Sequence, residues 1–237
     1  MQILILSLYE GRSLKGCNLS IHDYMIIQSS LLRRMIIKSP HKTLVIACGA
    51  LAKEILAIKN NLGLDDGVFD LQCLPAIYHN FPSKIVPALE AILDERGGDY
   101  DRVLIGYGDC GTGGGLDRML INYPIAERLP GAHCYAFYGG LAEFDSMMEE
   151  EIGTFFLTDY LVSHFETLVI NGMGIDRHPE LKEMYFANYK RLIYMSQAPT
   201  EELIGLAKSA ATFLDLEFEH RAVGYGRLED LVSSLSP

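Results

Sequence analysis

The chain has 237 residues, 49% of them apolar and 22% charged, with a formal net charge of −11. That composition describes a folded protein with a substantial core and excludes disorder. The acidic balance opposes a phosphate backbone, whose binding is driven by cationic side chains releasing counterions, so nucleic acid is not an expected partner.

Met1–Leu8 alternates weakly as a first strand, Ser13–Asn18 reads as a loop, and Ile21–Lys38 carries apolar residues at helical spacing. Ser20 or Asp23 can cap that helix and Pro40 ends it. Neither the opening segment nor any later run has the roughly twenty apolar residues that span a bilayer, and the opening lacks a basic n-region and a cleavage site. A cytoplasmic protein is expected.

Thr43–Ala47 is a short run of β-formers, followed by Cys48-Gly49-Ala50 and an amphipathic helix over Leu51–Leu62. Phe69–Leu74 is the next strand, and an aromatic turn carrying His79 leads to a helix over Pro82–Glu95. Tyr100–Gly106 forms a third strand and Gly115–Tyr123 a further helix. Pro130–Gly140 reads as a strand bearing His133 and Cys134, followed by an acidic helix over Glu143–Glu151. Thr154–Thr158 is a strand or helix start, Leu168–Gly174 an apolar run ending in glycine, and His178–Leu192 an aromatic helix with Tyr185, Phe186 and Tyr189, followed by Tyr194. Strand Leu192–Ser196, helix Thr200–Leu214 capped by Thr200, strand Leu216–Ala222 and helix Glu229–Leu235 close the chain.

Strands alternating with helices call for an α/β fold, a mostly parallel sheet with helices on both faces in a Rossmann-like three-layer sandwich, because parallel neighbours need crossover connections. One domain over 1–237 is expected, with a soft sub-division near 145–153.

Between Val103 and Gly115 an apolar strand breaks into a loop with six glycines, one aspartate, one cysteine and one threonine. Glycine is placed where φ must be positive or where backbone must approach something closely. The spacing is neither a dinucleotide fingerprint nor a P-loop, and no GxSxG elbow is present. Backbone N–H groups at Gly108, Asp109, Gly111, Thr112 and Gly113 could cradle an anion and lower the Cys110 pKa, making Cys110 a nucleophile or metal ligand. Asp109 could act as a base or hold a cation, whereas Asp117 and Glu149–Glu151 read as solvated helix surface.

In open parallel sheets ligands sit beyond the carboxyl ends of strands. Cys48, His79, Cys110 and His133 all lie there on this reading, and they are donors that zinc accepts. Adjacent residues on a strand face opposite ways, so His133 rather than Cys134 is expected to reach the site. Tyr185, Phe186, Tyr189 and Tyr194 could line a pocket for a flat ligand, but aromatic residues at helical spacing are more often core, which is the expectation here. Five scattered cysteines without a CxxC pair are expected to be reduced thiols.

Ile46-Ala-Cys48-Gly, Leu74-Pro with His79-Asn and Pro82, Gly106-Tyr-Gly-Asp-Cys110-Gly, Gly131-Ala-His133-Cys134 and Gly153-Thr-Phe-Phe-Leu-Thr158 resemble the DUF1638 family of methanogens and other bacteria. Where many members carry His-Asp-Cys, this chain reads His133-Cys134-Tyr135, shifting the cysteine. The resemblance implies an uncharacterised protein near corrinoid-dependent methyltransferase components, with a supporting role in methyl transfer from small methylated compounds. Under that reading Cys110 is the leading catalytic group, a zinc ion is held by Cys48, His79, Cys110 and His133, and a corrinoid enters through a partner. The alternative is a small-anion, nucleotide or folate binding module with structural cysteines.

Overall fold

The computed structural model describes residues 43–235; the expected strand Met1–Leu8, helix Ile21–Lys38 and the residue Cys17 lie outside them. The described residues belong to one compact unit, His41–Pro237.

Two parallel sheets are present among the described residues. The first consists of β1 (Thr43–Cys48), β2 (Phe69–Leu74), β3 (Arg102–Gly106) and β4 (Ala126–Arg128) in the order β2-β1-β3-β4. The second consists of β5 (Thr154–Leu157), β6 (Arg191–Ser196) and β7 (Glu217–Ala222) in sequence order. Every strand pairing is parallel. Crossovers run through α1 (Ala52–Asn61), α2 (Ile85–Arg96) and α3 (Gly115–Leu120) in the first sheet, and include α6 (Asp159–Ser163), α7 (Glu180–Phe186) and α8 (Glu201–Leu214) in the second. Between the sheets come α4 (Ala136–Gly139) and α5 (Leu141–Glu150), and α9 (Gly226–Ser233) follows β7. The α/β, Rossmann-like expectation holds, with the strands divided between two sheets rather than joined in one.

Every residue of β1 is buried, as a central parallel strand covered on both faces requires. The β6 side chains alternate. Ile193 and Met195 join the core of the first sheet, together with Phe144, Met147 and Phe156, while Leu192 and Tyr194 join a second core with Leu157 and the alanines of α8. The first core thus extends from one sheet to the other. Thr200 Oγ1 accepts the Leu203 amide and caps α8, as its sequence indicates.

Pro130–Gly140 is not a strand. The strand lies earlier, at β4, and Gly131 then bends the chain at φ +95°, a conformation that favours glycine. The carbonyls of Gly131 and Ala132 accept the amides of Asp109 and Cys110 at 2.9 and 2.7 Å, so the segment clasps the glycine loop instead of extending a sheet. The aromatic helix is also shorter than expected, ending at Phe186. The apolar run at 168–174 falls in a widened π-type turn, Glu166–Asn171, and its continuation.

The order β2-β1-β3 has a consequence for function. The chain leaves β1 toward β2 and returns across β1 to β3, so the connections that follow β1 and β3 diverge. That divergence opens a crevice at the carboxyl ends of two neighbouring strands, the general ligand position of open α/β sheets. Cys48 ends β1, and Cys110 follows β3 by four residues.

Candidate functional site: three thiols beside an aromatic cavity

Cys48 closes β1 and is almost wholly buried. Across the crevice, Cys110 stands at φ +46°, a left-handed conformation uncommon for a residue with a side chain. The loop is built to hold it there. The Asp109 carboxylate accepts from Thr112 Oγ1 at 2.9 Å and from the amides of Gly113 and Gly114 at 3.0 and 2.7 Å. These bonds, the Gly114 amide foremost, hold the Asp109 carboxyl below its usual range. One of the N–H groups that sequence reasoning offered to an anion, that of Gly113, therefore already serves the chain's own carboxylate, as does the neighbouring Gly114.

Gly108 is needed for a different reason. A Cβ there would stand 2.8 Å from the His133 carbonyl carbon and 3.0 Å from the Gly131 oxygen. Its absence lets the 131–134 turn lie directly on the β3 loop, and the turn delivers Cys134. Its thiol comes within hydrogen-bonding reach of both Cys48 and Cys110. This corrects the expectation for the pair: with no strand to alternate along, Cys134 reaches the other thiols while the His133 ring stacks on Tyr135 at 5.0 Å.

Electrostatics divides the three thiols. The hydrogen bond from Cys134 is the main reason that the Cys48 pKa falls to about 7; burial opposes the shift, and the Ala50 amide assists it. Tyr107 lies beside Cys48 and adds a smaller push, although its hydroxyl lacks a well-formed hydrogen bond. The same kind of contact lowers Cys110, aided by the amides of Cys134 and Gly108 and opposed by burial and by Cys48. Cys134 is pushed well above the ordinary thiol range, because hydrogen bonding to both neighbours and burial keep its proton in place. One S–H can serve one acceptor at a time, so Cys48 and Cys110 compete for it.

Two spaces open beside the thiols. A cavity of about 630 Å³ is lined by His79, His133, Tyr135, Phe144, Phe155, Phe156, Leu168, Tyr185 and Tyr189, among others. A chamber of about 20 Å³ is lined by Cys48, Cys134 and Tyr138, and shares His79, Tyr135, Leu161 and Leu168 with the larger cavity. Asn80 Nδ2 donates to the Leu168 carbonyl at 2.7 Å, tying the His79 loop to the π-type turn across this space. Crowding by protein lowers the pKa of both histidines, although His79 keeps solvent contact at the rim.

Sequence reasoning missed Cys134, Tyr138 and the aromatic wall. Tyr185 and Tyr189, assigned to the core, border the cavity instead, while Phe186 and Tyr194 are core. Pro130-Gly131 is the available signal, since that pair marks a turn rather than a strand. Cys73 is exposed on β2, and Asp117 forms a two-pronged pair with Arg128 at 2.6 and 2.8 Å, which gives it a structural partner. Among the described residues no group of three or more His, Cys, Asp or Glu is arranged to hold a metal ion. Of the four residues expected to hold zinc, Cys48 and Cys110 come together with Cys134, whereas His79 and His133 line the adjoining cavity.

Residues 73–232 match the family described as "Protein of unknown function (DUF1638)". The chain belongs to the DUF1638 family. The matched span is more than half of the chain and includes Cys110, Cys134 and the whole aromatic wall, while Cys48 lies before it. No curated protein and no solved structure matches the chain. Among the described residues no helix is long and apolar enough to cross a membrane.

Proposed function

We propose that this DUF1638 protein supports methyl transfer, with Cys48 accepting a methyl group from a small methylated compound bound in the adjoining cavity. The observation that carries the reading is the Cys48 thiol, brought to a pKa of about 7 by Cys134 and facing a chamber that opens toward a ligand-sized cavity. A thiolate is the nucleophilic form, and at that pKa about half the population holds it near neutrality. In the step, the Cys48 sulfur attacks the methyl carbon and an S–C bond forms. The electron pair of the broken bond leaves with the donor's nitrogen, oxygen or sulfur, which takes up a proton from solvent through the open side of the cavity when the donor is uncharged. Cys134 keeps its proton throughout and orients the thiolate, and Cys110 competes for that proton. A corrinoid would belong to a partner methyltransferase component on the other side of the exchange. No step is assigned to zinc.

The alternative, a small-anion, nucleotide or folate module, has less support, because Asp109 occupies amides of the loop that would hold the anion. The test is incubation with small methyl donors, a panel of methylated amines, thioethers and sulfonium ions, at neutral pH, followed by peptide mass spectrometry. S-methylcysteine at Cys48, lost in Cys48→Ser, is the expected result. Methylation spread evenly over the thiols, or none at Cys48, overturns the reading.

A further inference from the structure

We propose that the aromatic cavity and the thiol chamber form one two-compartment site for an uncharged molecule with a flat ring body and one small polar end group, the end group being held by Tyr138. This inference rests on the same rim as the methyl-accepting reading, though not on its thiol chemistry.

Charge comes first. Among the described residues no Lys, Arg, Asp or Glu lines the larger cavity. A buried anion there would lose its hydration with no counter-charge to replace it, and the chain's net charge of −11 opposes an anion further. The two histidines at the site favour their neutral forms. What the walls offer is rings. His133 and Tyr135 stack at 5° between their planes, and Phe144 and Phe156 meet Tyr135 at 5.7 and 6.1 Å. Such a wall receives a flat conjugated body by stacking and edge contacts. A volume of about 630 Å³ is in the range of pockets that enclose a whole small molecule, far more than a methylated amine alone fills.

The second compartment selects the end group. About 20 Å³ accommodates roughly one water-sized group, such as a hydroxyl, a carbonyl oxygen or a methyl. Tyr138 borders it at 2% exposure, and its hydroxyl has no hydrogen-bond partner among the described residues. A buried hydroxyl without a partner is costly, and an oxygen on the ligand would relieve that cost by accepting its proton. Leu161 and Leu168 belong to both spaces and form the passage between them.

The test titrates the full chain with four probes of one shape: naphthol, naphthalene, naphthoate and naphthyl-trimethylammonium. Naphthol is expected to bind saturably, at least about ten-fold more tightly than either ion. Tyr138→Phe, which keeps the ring, should weaken naphthol about ten-fold and leave naphthalene unchanged. Leu161→Trp should block the passage and remove the preference for naphthol over naphthalene. Equal or tighter binding of an ion, absence of saturable naphthol binding, or indifference of naphthol to Tyr138→Phe overturns the inference. Methyl acceptance at Cys48 is read by mass spectrometry and naphthol binding by titration, both on the unsubstituted chain, so the two readings fail separately.

Discussion

The Cys134 thiol lies within hydrogen-bonding reach of those of both Cys48 and Cys110. Three cysteines, one at the end of β1 and two from separate loops, thereby titrate as one system, in which Cys134 keeps its proton and the other two divide its hydrogen bond.

The division is measurable as a pH profile. Alkylation of Cys48 by iodoacetamide should rise with a midpoint of about 7, against roughly 8.5 for an ordinary thiol. Cys134→Ala removes the largest cause of the shift and should move the midpoint up. Cys110→Ala leaves the Cys134 proton to Cys48 alone and should move it down. A midpoint that ignores both substitutions would show that the thiols do not interact.

Asp109 holds the loop by three hydrogen bonds, so Asp109→Ala should destabilise the protein by about 1–2 kcal/mol through amides left without a partner. Because the folded-state pKa is depressed, the stabilisation from its ionised form is complete above the unfolded value of 3.8 and is lost as pH falls through the lower folded value. Urea midpoints followed from neutrality into acid should therefore converge for wild type and variant. Parallel curves would contradict the assignment.

Gly108→Ala tests the clasp between the β3 loop and the 131–134 turn. The new methyl would meet backbone at 2.8–3.0 Å, and backbone cannot rotate away. A loss of about 1–3 kcal/mol is expected, together with a rise in the Cys48 alkylation midpoint as Cys134 is pushed aside. Stability lost without a change in the midpoint would separate the clasp from the thiol cluster.

Asp159 joins the end of β6 to α6 beside the passage residue Leu161. Its carboxylate accepts from Tyr194 Oη at 2.6 Å, Gln197 N at 3.1 Å and Ala198 N at 2.7 Å, and it is buried. Asp159→Ala should cost about 3 kcal/mol in denaturant unfolding, since it strands two buried donors, Tyr194 Oη and Gln197 N, and removes a third bond nearer the surface. A cost under about 1 kcal/mol would mean that the donors find other partners.

The sequence by itself determined most of the strands and helices, the parallel α/β class and the family, because apolar periodicity, caps and glycine punctuation are local properties. Phe69–Leu74 was legible to the residue, and so was the Thr200 cap. It also placed Cys48 and Cys110 past the ends of strands. Only the tertiary structure decided that β1 and β3 are neighbours with diverging connections, that the strands fall into two sheets, and that Cys134 rather than His133 meets the other thiols. The last decision turns on Gly108 and Gly131, two glycines far apart in the chain that allow two backbones to touch. A contact of that kind leaves no periodic trace in either segment, so no pattern along the chain could report it.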